Sequence, residues 1–419
     1  MIKEKMEQLE QEIEEHRKNV RQIAEYNQKR VLDAFRNQKI SDSHFSATTG
    51  YGYDDFGRDA LESVYAEVFG GEDALVRPQL ISGTHAITTA LFGMLRPGDE
   101  LMYITGAPYD TLEEVVGVRG ENNGSLIEFG IHYQAIPLTK KGQVDWDLIR
   151  TRLNKQTKVI GIQRSKGYAN RPSFTVNEIK EMIEKIKALK SGVIVFVDNC
   201  YGEFVEEFEP THVGADLIAG SLIKNPGGGI VRTGGYIVGN QDLVQLAANR
   251  LTAPGLGKET GASIGMLQEM YQGLFFAPHI VSEALQGAIF SSRVLDYFGF
   301  QTAPAFDCKR TDLIQSVAFN TKEQMIAFCQ SIQHASPINS HVTPYPASMP
   351  GYENDVIMAA GTFIQGASLE LTADGPIRPP YTVFVQGGLI YSHVKLAITE
   401  AVELFIKKGY LTINENELV

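Results

Sequence analysis

The stretch Val193-Ile-Val-Phe-Val-Asp-Asn-Cys-Tyr-Gly-Glu-Phe204, followed by Gly214-Ala-Asp-Leu-Ile-Ala-Gly-Ser-Leu-Ile-Lys-Asn-Pro-Gly-Gly-Gly229 and Thr233-Gly-Gly235, decides the fold. Val193 to Val197 is short, apolar and β-branched, as a strand buried on both faces requires, and Asp198 follows it directly. A carboxylate at the carboxyl end of a strand stands where open α/β sheets hold their ligands. A second apolar segment, Leu217 to Ile223, leads into Lys224 and then Pro226 to Gly229, a run of flexible or helix-breaking residues. An amine and a carboxylate are thus each delivered to the end of a strand.

That pairing suits pyridoxal phosphate, which needs a lysine to form a Schiff base with its aldehyde and a carboxylate to keep its ring nitrogen protonated. Alone, a strand-end Asp is also a common cap or turn residue, and a Lys beside glycines is also a common surface residue. Together with Ser221 and the glycine run they favour the cofactor. Val-Asp-Asn-Cys-Tyr at 197–201 resembles the strand-end aspartate motif of the type I pyridoxal-phosphate enzymes, and Ser221-Leu-Ile-Lys224 resembles their serine-x-x-lysine. The resemblance implies that Lys224 carries pyridoxal 5'-phosphate, that Asp198 meets the ring nitrogen and that the Ser221 hydroxyl contacts the phosphate.

Upstream, Leu80-Ile-Ser-Gly-Thr-His-Ala86 takes a strand end through a turn at Gly83 into a helix. The amides of Thr84 and His85 are then expected to point outward as a phosphate site; an ordinary helix start is the alternative. Gly106-Ala-Pro-Tyr-Asp-Thr-Leu112 opens another helix, and Tyr109 resembles the tyrosine that stacks on the cofactor ring in sulfur-amino-acid lyases and protonates the leaving group. After the strand Lys158 to Gln163 comes a polar loop; in the enzymes resembled, a side chain of this loop contacts the cofactor's phenolic oxygen, and the resemblance makes Arg164, Ser165 and Asn170 the candidates. In the family resembled, residues near 46–58 cross to the phosphate of a neighbouring subunit, and Tyr51, Tyr53 and Arg58 are the candidates here. Arg378, in the stiff loop Gly375-Pro-Ile-Arg-Pro-Pro-Tyr381, suits a clamp on a substrate carboxylate; a surface pairing with Glu370 or Asp374 is its alternative.

The wording of Ser82-Gly-Thr-His-Ala86, Gly106 to Leu112 and Ser221 to Gly229 is similar to the bacterial methionine gamma-lyase-like or cystathionine beta-lyase-like proteins linked by name to aluminium resistance. This implies an α/β, mostly parallel, seven-stranded large domain of the type I pyridoxal-phosphate transferase fold, with a smaller α+β C-terminal domain and an N-terminal helix. It also implies a homodimer or homotetramer with active sites at the subunit interface. The activity implied is a carbon-sulfur lyase releasing a thiol, ammonia and a 2-oxo acid from a small amino-acid substrate. Lys224 would take the α-proton, its pKa lowered by burial and the nearby Schiff-base charge. Aminotransfer, racemisation, decarboxylation and a catalytically silent cofactor-binding protein stay open on residue types alone.

At 419 residues, with 43% hydrophobic and 21% charged residues, the chain has the size and composition of a two-domain globular protein. The boundaries expected are a helical arm at 1–45, a large domain at 46–290 and a small domain at 291–419. A net charge of −12 argues against nucleic acid or an anionic membrane as partner. No long apolar run and no signal-like start occur, so a cytoplasmic location is expected. Three cysteines, Cys200, Cys308 and Cys329, give no metal or disulfide framework, and Cys200 reads as a small buried filler. Ile2, Met6, Leu9, Ile13, His16, Val20 and Ile23 form a heptad-like stripe that fails at Asn27. Packing across a subunit boundary is expected of it, with packing on its own subunit as the alternative. Neither Thr252 to Glu259 nor the glycines at 227–229 meet a nucleotide-loop pattern.

Overall fold

The computed structural model describes residues 2–169, 171–349, 354–366 and 368–411, and divides into two compact units. Asn27–Phe276 form one; Met1–Tyr26 together with Ala277–Val419 form the other. The division differs from the expected 1–45, 46–290 and 291–419, because the first helical segment belongs with the C-terminal part of the chain.

The chain begins with α1 (Ile2–Glu12) and α2 (Glu14–Asn37), separated at Ile13. Met6, Leu9 and Ile13 are buried in one cluster with Phe290, Val294, Val394, Ile398 and Phe405, so this part of the N-terminal stripe is covered by its own chain. Glu10 anchors that segment by accepting from the Tyr391 hydroxyl at 2.7 Å, Lys395 and Arg17. The heptad fails at Asn27 for a physical reason: that side chain is buried and donates to the carbonyls of Phe204 and Glu206, at 2.9 and 3.1 Å.

Next come α3 (Phe56–Phe69), β1 (Asp73–Arg77), α4 (Gly83–Met94), β2 (Glu100–Tyr103), α5 (Asp110–Val116), β3 (His132–Ala135) and α6 (Trp146–Arg152). The α3 helix is capped by Asp55 and ends at Gly70 in the left-handed conformation. The unit continues through β4 (Thr157–Gln163), α7 (Val176–Leu189), β5 (Ile194–Asp198), β6 (Leu217–Ser221), β7 (Gly235–Gly239) and α8 (Gln241–Leu251). Its seven strands lie in the order β1-β7-β6-β5-β4-β2-β3. The strands from β6 to β3 are parallel, as the apolar runs predict, but β7 is antiparallel to both neighbours. No α-helix separates β5, β6 and β7. The links between them, residues 199–216 and 222–234, carry only the 3-10 turns Pro210–Val213 and Asn225–Gly227.

α9 (Leu267–Tyr297) passes from one unit to the other just before Pro278, which cannot donate to the helical ladder. The second unit is built on β8 (Gln301–Ala303), β9 (Gln315–Ala318), α10 (Lys322–His334), β10 (Val356–Ala359), β11 (Thr372–Pro376), β12 (Thr382–Gln386) and α11 (Tyr391–Lys407). Its sheet, β10-β11-β12-β9-β8, is antiparallel throughout. Among the described residues no helix is long and apolar enough to cross a membrane.

A buried ion pair braces the loop at 258–261. Arg77 Nε donates to Glu62 at 2.7 Å, while its other nitrogens hold the carbonyls of Thr260 and Lys258 at 2.6 and 2.9 Å. Burial would raise the Glu62 carboxyl, but Arg77 and Lys258 outweigh it and hold it below the ordinary glutamate range. The stabilisation is therefore complete above the ordinary glutamate pKa and is lost as pH falls through the depressed folded value. Glu62→Gln should lower unfolding stability by about 3 kcal/mol at neutral pH, with the gap to wild type narrowing in acid, as measured by denaturant melts across pH.

Candidate active site

Three neighbouring parallel strands end side by side. Gln163 at the end of β4 is in register with Asp198 at the end of β5, and Asp198 with Ala219 of β6. Asp198 is buried and its Oδ1 accepts from the Cys200 amide at 3.1 Å. Burial pushes its carboxyl above the ordinary aspartate range, with Lys224 and the Cys200 bonds pulling the other way. The β6 strand stops at Ser221, two residues sooner than the apolar run suggests. Lys224 then opens a short turn, Asn225–Gly227, with Gly228 in the left-handed region.

The Lys224 Nζ lies 4.1 Å from the centre of the Tyr201 ring. Burial disfavours its ammonium, but Cys200, Tyr201, Asp198 and Glu203 overturn that effect and the amine sits above the ordinary lysine range. In the protein without cofactor, where no Schiff-base charge stands beside the amine, these neighbours outweigh burial. Glu203 is fully buried, its carboxyl is pushed by burial up to about 8, and its Oε1 accepts from the Tyr236 hydroxyl at 2.7 Å.

The N-terminus of α4 closes on these strand ends. A Cβ placed on Gly83 would lie 3.1 Å from the Ser221 Cβ and 3.3 Å from the Cys200 Sγ, so the helix start, β6 and the turn after β5 meet there. Ser82 caps the helix by accepting from the His85 amide at 3.0 Å. His85 is therefore committed within the chain, against the expectation that both its amide and that of Thr84 point outward. The Gly83 and Thr84 amides have no partner among the described residues. The Thr84 hydroxyl meets that of Thr111 at 3.0 Å.

Tyr109 immediately precedes α5, and its ring packs against Gly167, where a Cβ would stand 2.8 Å from the ring. The same position lies 3.5 Å from Gln163 Nε2, which connects Tyr109 with the strand end beside Asp198. Gln163 is the residue that sequence reasoning missed. It is buried, donates to the Ser165 carbonyl at 2.8 Å and leaves its Oε1 without a donor. Its signal was a polar residue closing the apolar run Val159-Ile-Gly-Ile-Gln163, the same pattern that marks Asp198.

Of the three loop candidates, Arg164 has a structural role. It is fully buried and donates to Asn199 at 2.8 Å, Glu209 at 3.1 Å and Glu206 at 3.2 Å. Ser165 is buried, and Asn170 lies outside the described residues. Arg58 also differs from expectation: only 2% exposed, it donates to the Gly52 and Gly261 carbonyls at 2.7 and 3.1 Å and pairs with Asp59. Tyr51 and Tyr53 are 71% and 56% exposed and stack on each other with centroids 5.4 Å apart. Arg378 lies in the other unit, exposed just after β11, while Glu370 accepts from the Phe363 and Ile364 amides, both at 2.8 Å. Its guanidinium has no partner among the described residues.

Comparison with known proteins follows the same lines. An uncharacterised Bacillus subtilis protein, YnbB, is 64% identical over 409 residues, 97% of each chain. A crystal structure from Listeria monocytogenes, assigned as a cystathionine beta-lyase involved in aluminium resistance, is 61% identical with a TM-score of 0.94, covering 95% of this chain and 98% of that one. A carbon-sulfur lyase involved in aluminium resistance from Clostridium novyi is 47% identical with a TM-score of 0.92, covering 96% and 95%. The fold is the type I fold of pyridoxal-phosphate enzymes, shared at 17% identity and a TM-score of 0.61 with a pyridoxal-5'-phosphate-dependent Escherichia coli protein. Residues 2–406 match the methionine gamma-lyase family model, and the chain belongs to that family.

Proposed function

We propose that this protein is a pyridoxal 5'-phosphate-dependent carbon-sulfur lyase that splits a sulfur-containing amino acid into a thiol, ammonia and a 2-oxo acid. The observation that carries this reading is the convergence of Lys224, buried Asp198 and the Gly83–Ser221 contact at the ends of β5 and β6. The residues suit the cofactor. Gly83 and Thr84 offer amides, and Ser221 a hydroxyl, to a phosphate at a helix N-terminus. Asp198 gives a buried carboxylate for the ring nitrogen, and Gln163 a buried Oε1 still lacking a donor. His85 would serve there through the turn it stabilises. When bound, the cofactor supplies an electron sink that acidifies the substrate's α-carbon.

The chain's own residues do the remaining work. Lys224 Nζ would hold the cofactor covalently, yield to the substrate amine and take the α-proton. The Tyr109 phenol would face the cofactor ring and hand a proton to the departing sulfur. Arg378 would fix the substrate carboxylate by a two-pronged charge-assisted contact. The protein would act as a homodimer or homotetramer in which exposed Tyr51 and Tyr53 reach the phosphate of a neighbouring copy, while buried Arg58 supports the loop that carries them. The three free cysteines agree with a cytoplasmic, reducing location.

Lys224→Ala should abolish both borohydride-stable attachment of the cofactor and thiol release from cystathionine or methionine; wild-type steady-state turnover in that variant would overturn the assignment. Arg378→Ala should raise KM for the amino acid roughly 10- to 100-fold, from loss of a charged hydrogen-bonded contact, with a smaller change in kcat. Initial-rate kinetics with thiol detection measure it, and an unchanged KM would remove Arg378 from the site.

A further inference from the structure

The Asp198-Asn-Cys-Tyr-Gly-Glu203 turn contains a backbone feature that the lyase reading leaves unexplained. Tyr201 has φ of 68° and Phe204 has φ of 63°, a left-handed conformation that disfavours aromatic residues. Such strain persists only where the surroundings hold it. Here they do. The Asn199 amide donates to the Ala219 carbonyl at 3.1 Å, the Gly202 amide to Asn199 at 2.9 Å and the Phe204 amide to Glu209 at 2.8 Å. Arg164 presses against Gly202 so closely that a Cβ there would lie 2.5 Å from its Cδ. Asn225, the residue after Lys224, donates to the Glu203 carbonyl at 2.9 Å and ties the lysine turn to this one.

The result of all this restraint is the position of one ring. Tyr201 is 8% exposed, and the Lys224 Nζ stands 4.1 Å from its centre. A cation within about 6 Å of an aromatic face is attracted by the ring quadrupole, most strongly where water is excluded. The other charged or titratable groups around Nζ are Asp198, Cys200 and Glu203.

We propose that the face of Tyr201 is a catalytic seat for the ammonium form of Lys224, stabilising the cation that the lysine becomes when it takes a proton. This rests on the reading of Lys224 as the cofactor-bearing lysine and adds a residue to it. A neutral amine gains little from the ring, so the seat raises the proton affinity of Nζ and favours its acceptance of the α-proton. The backbone strain keeps the ring under the amine while Lys224 exchanges partners.

The test uses cofactor-free protein, in which capture of pyridoxal phosphate requires the neutral amine. Tyr201→Leu should capture it about tenfold faster at neutral pH, from loss of a buried cation–π contact, with the pH profile of capture shifted to lower pH. Tyr201→Phe should behave like wild type. Phenylalanine analogues bearing increasing numbers of fluorines at position 201 keep the shape of the ring while draining its face, and should speed capture stepwise; they preserve the test if the leucine variant fails to fold. Capture rates and pH profiles indifferent to fluorination would overturn the seat and leave Lys224 in place, provided that borohydride still traps the cofactor there in wild type. Absence of trapping at Lys224 in the wild-type protein would overturn both.

Discussion

The buried guanidinium of Arg164 is the constraint on which the site depends. It leaves the end of β4 and is held among Asn199, Glu206 and Glu209, all of them on the segment that follows β5. A fully buried cation must find such partners, because the cost of leaving it unpaired exceeds that of most side-chain contacts. By gathering them, Arg164 folds the segment back on itself and sets the direction of Asp198, Cys200, Tyr201 and Glu203. Asn27 holds the same segment from the other side through the Phe204 and Glu206 carbonyls. The chemistry is presented by a turn, and the turn is kept by charges that take no part in it.

Much of this was legible because an apolar run closed by a polar residue has one simple reading in a doubly wound sheet. Asp198 and Lys224 stand out for that reason, and Gln163 follows the same rule. What escaped was decided by partners distant in sequence. Arg58 reads as a candidate for a neighbouring subunit's phosphate until the Gly52 and Gly261 carbonyls are seen beside it. His85 reads as a phosphate donor until Ser82 takes its amide. The antiparallel β7 was hidden because a central strand is equally apolar in either direction. The N-terminal stripe carries the period of a coiled coil, and period alone does not tell which chain covers it.

Two electrostatic demands meet at Lys224. The amine must be neutral to react, yet Asp198 and Glu203 favour its charged form. The role proposed for Asp198, against a ring nitrogen, requires its carboxylate. Burial works against both charges, opposing the ammonium and pushing Asp198 and Glu203 toward their neutral forms, yet without cofactor the ammonium still prevails. A bound cationic ring would satisfy Asp198 in place of the lysine and so loosen its hold on the amine.

The discontinuous unit has a consequence for biosynthesis. Asn27–Phe276 is continuous in the chain and can form its seven-stranded sheet as soon as it leaves the ribosome. Met6, Leu9 and Ile13 find Phe290, Val394 and Phe405 only after the whole of Asn27–Phe276 has been made. Until then the apolar face of α1 has no partner from its own unit. The discontinuous unit therefore closes later than the continuous one that interrupts it.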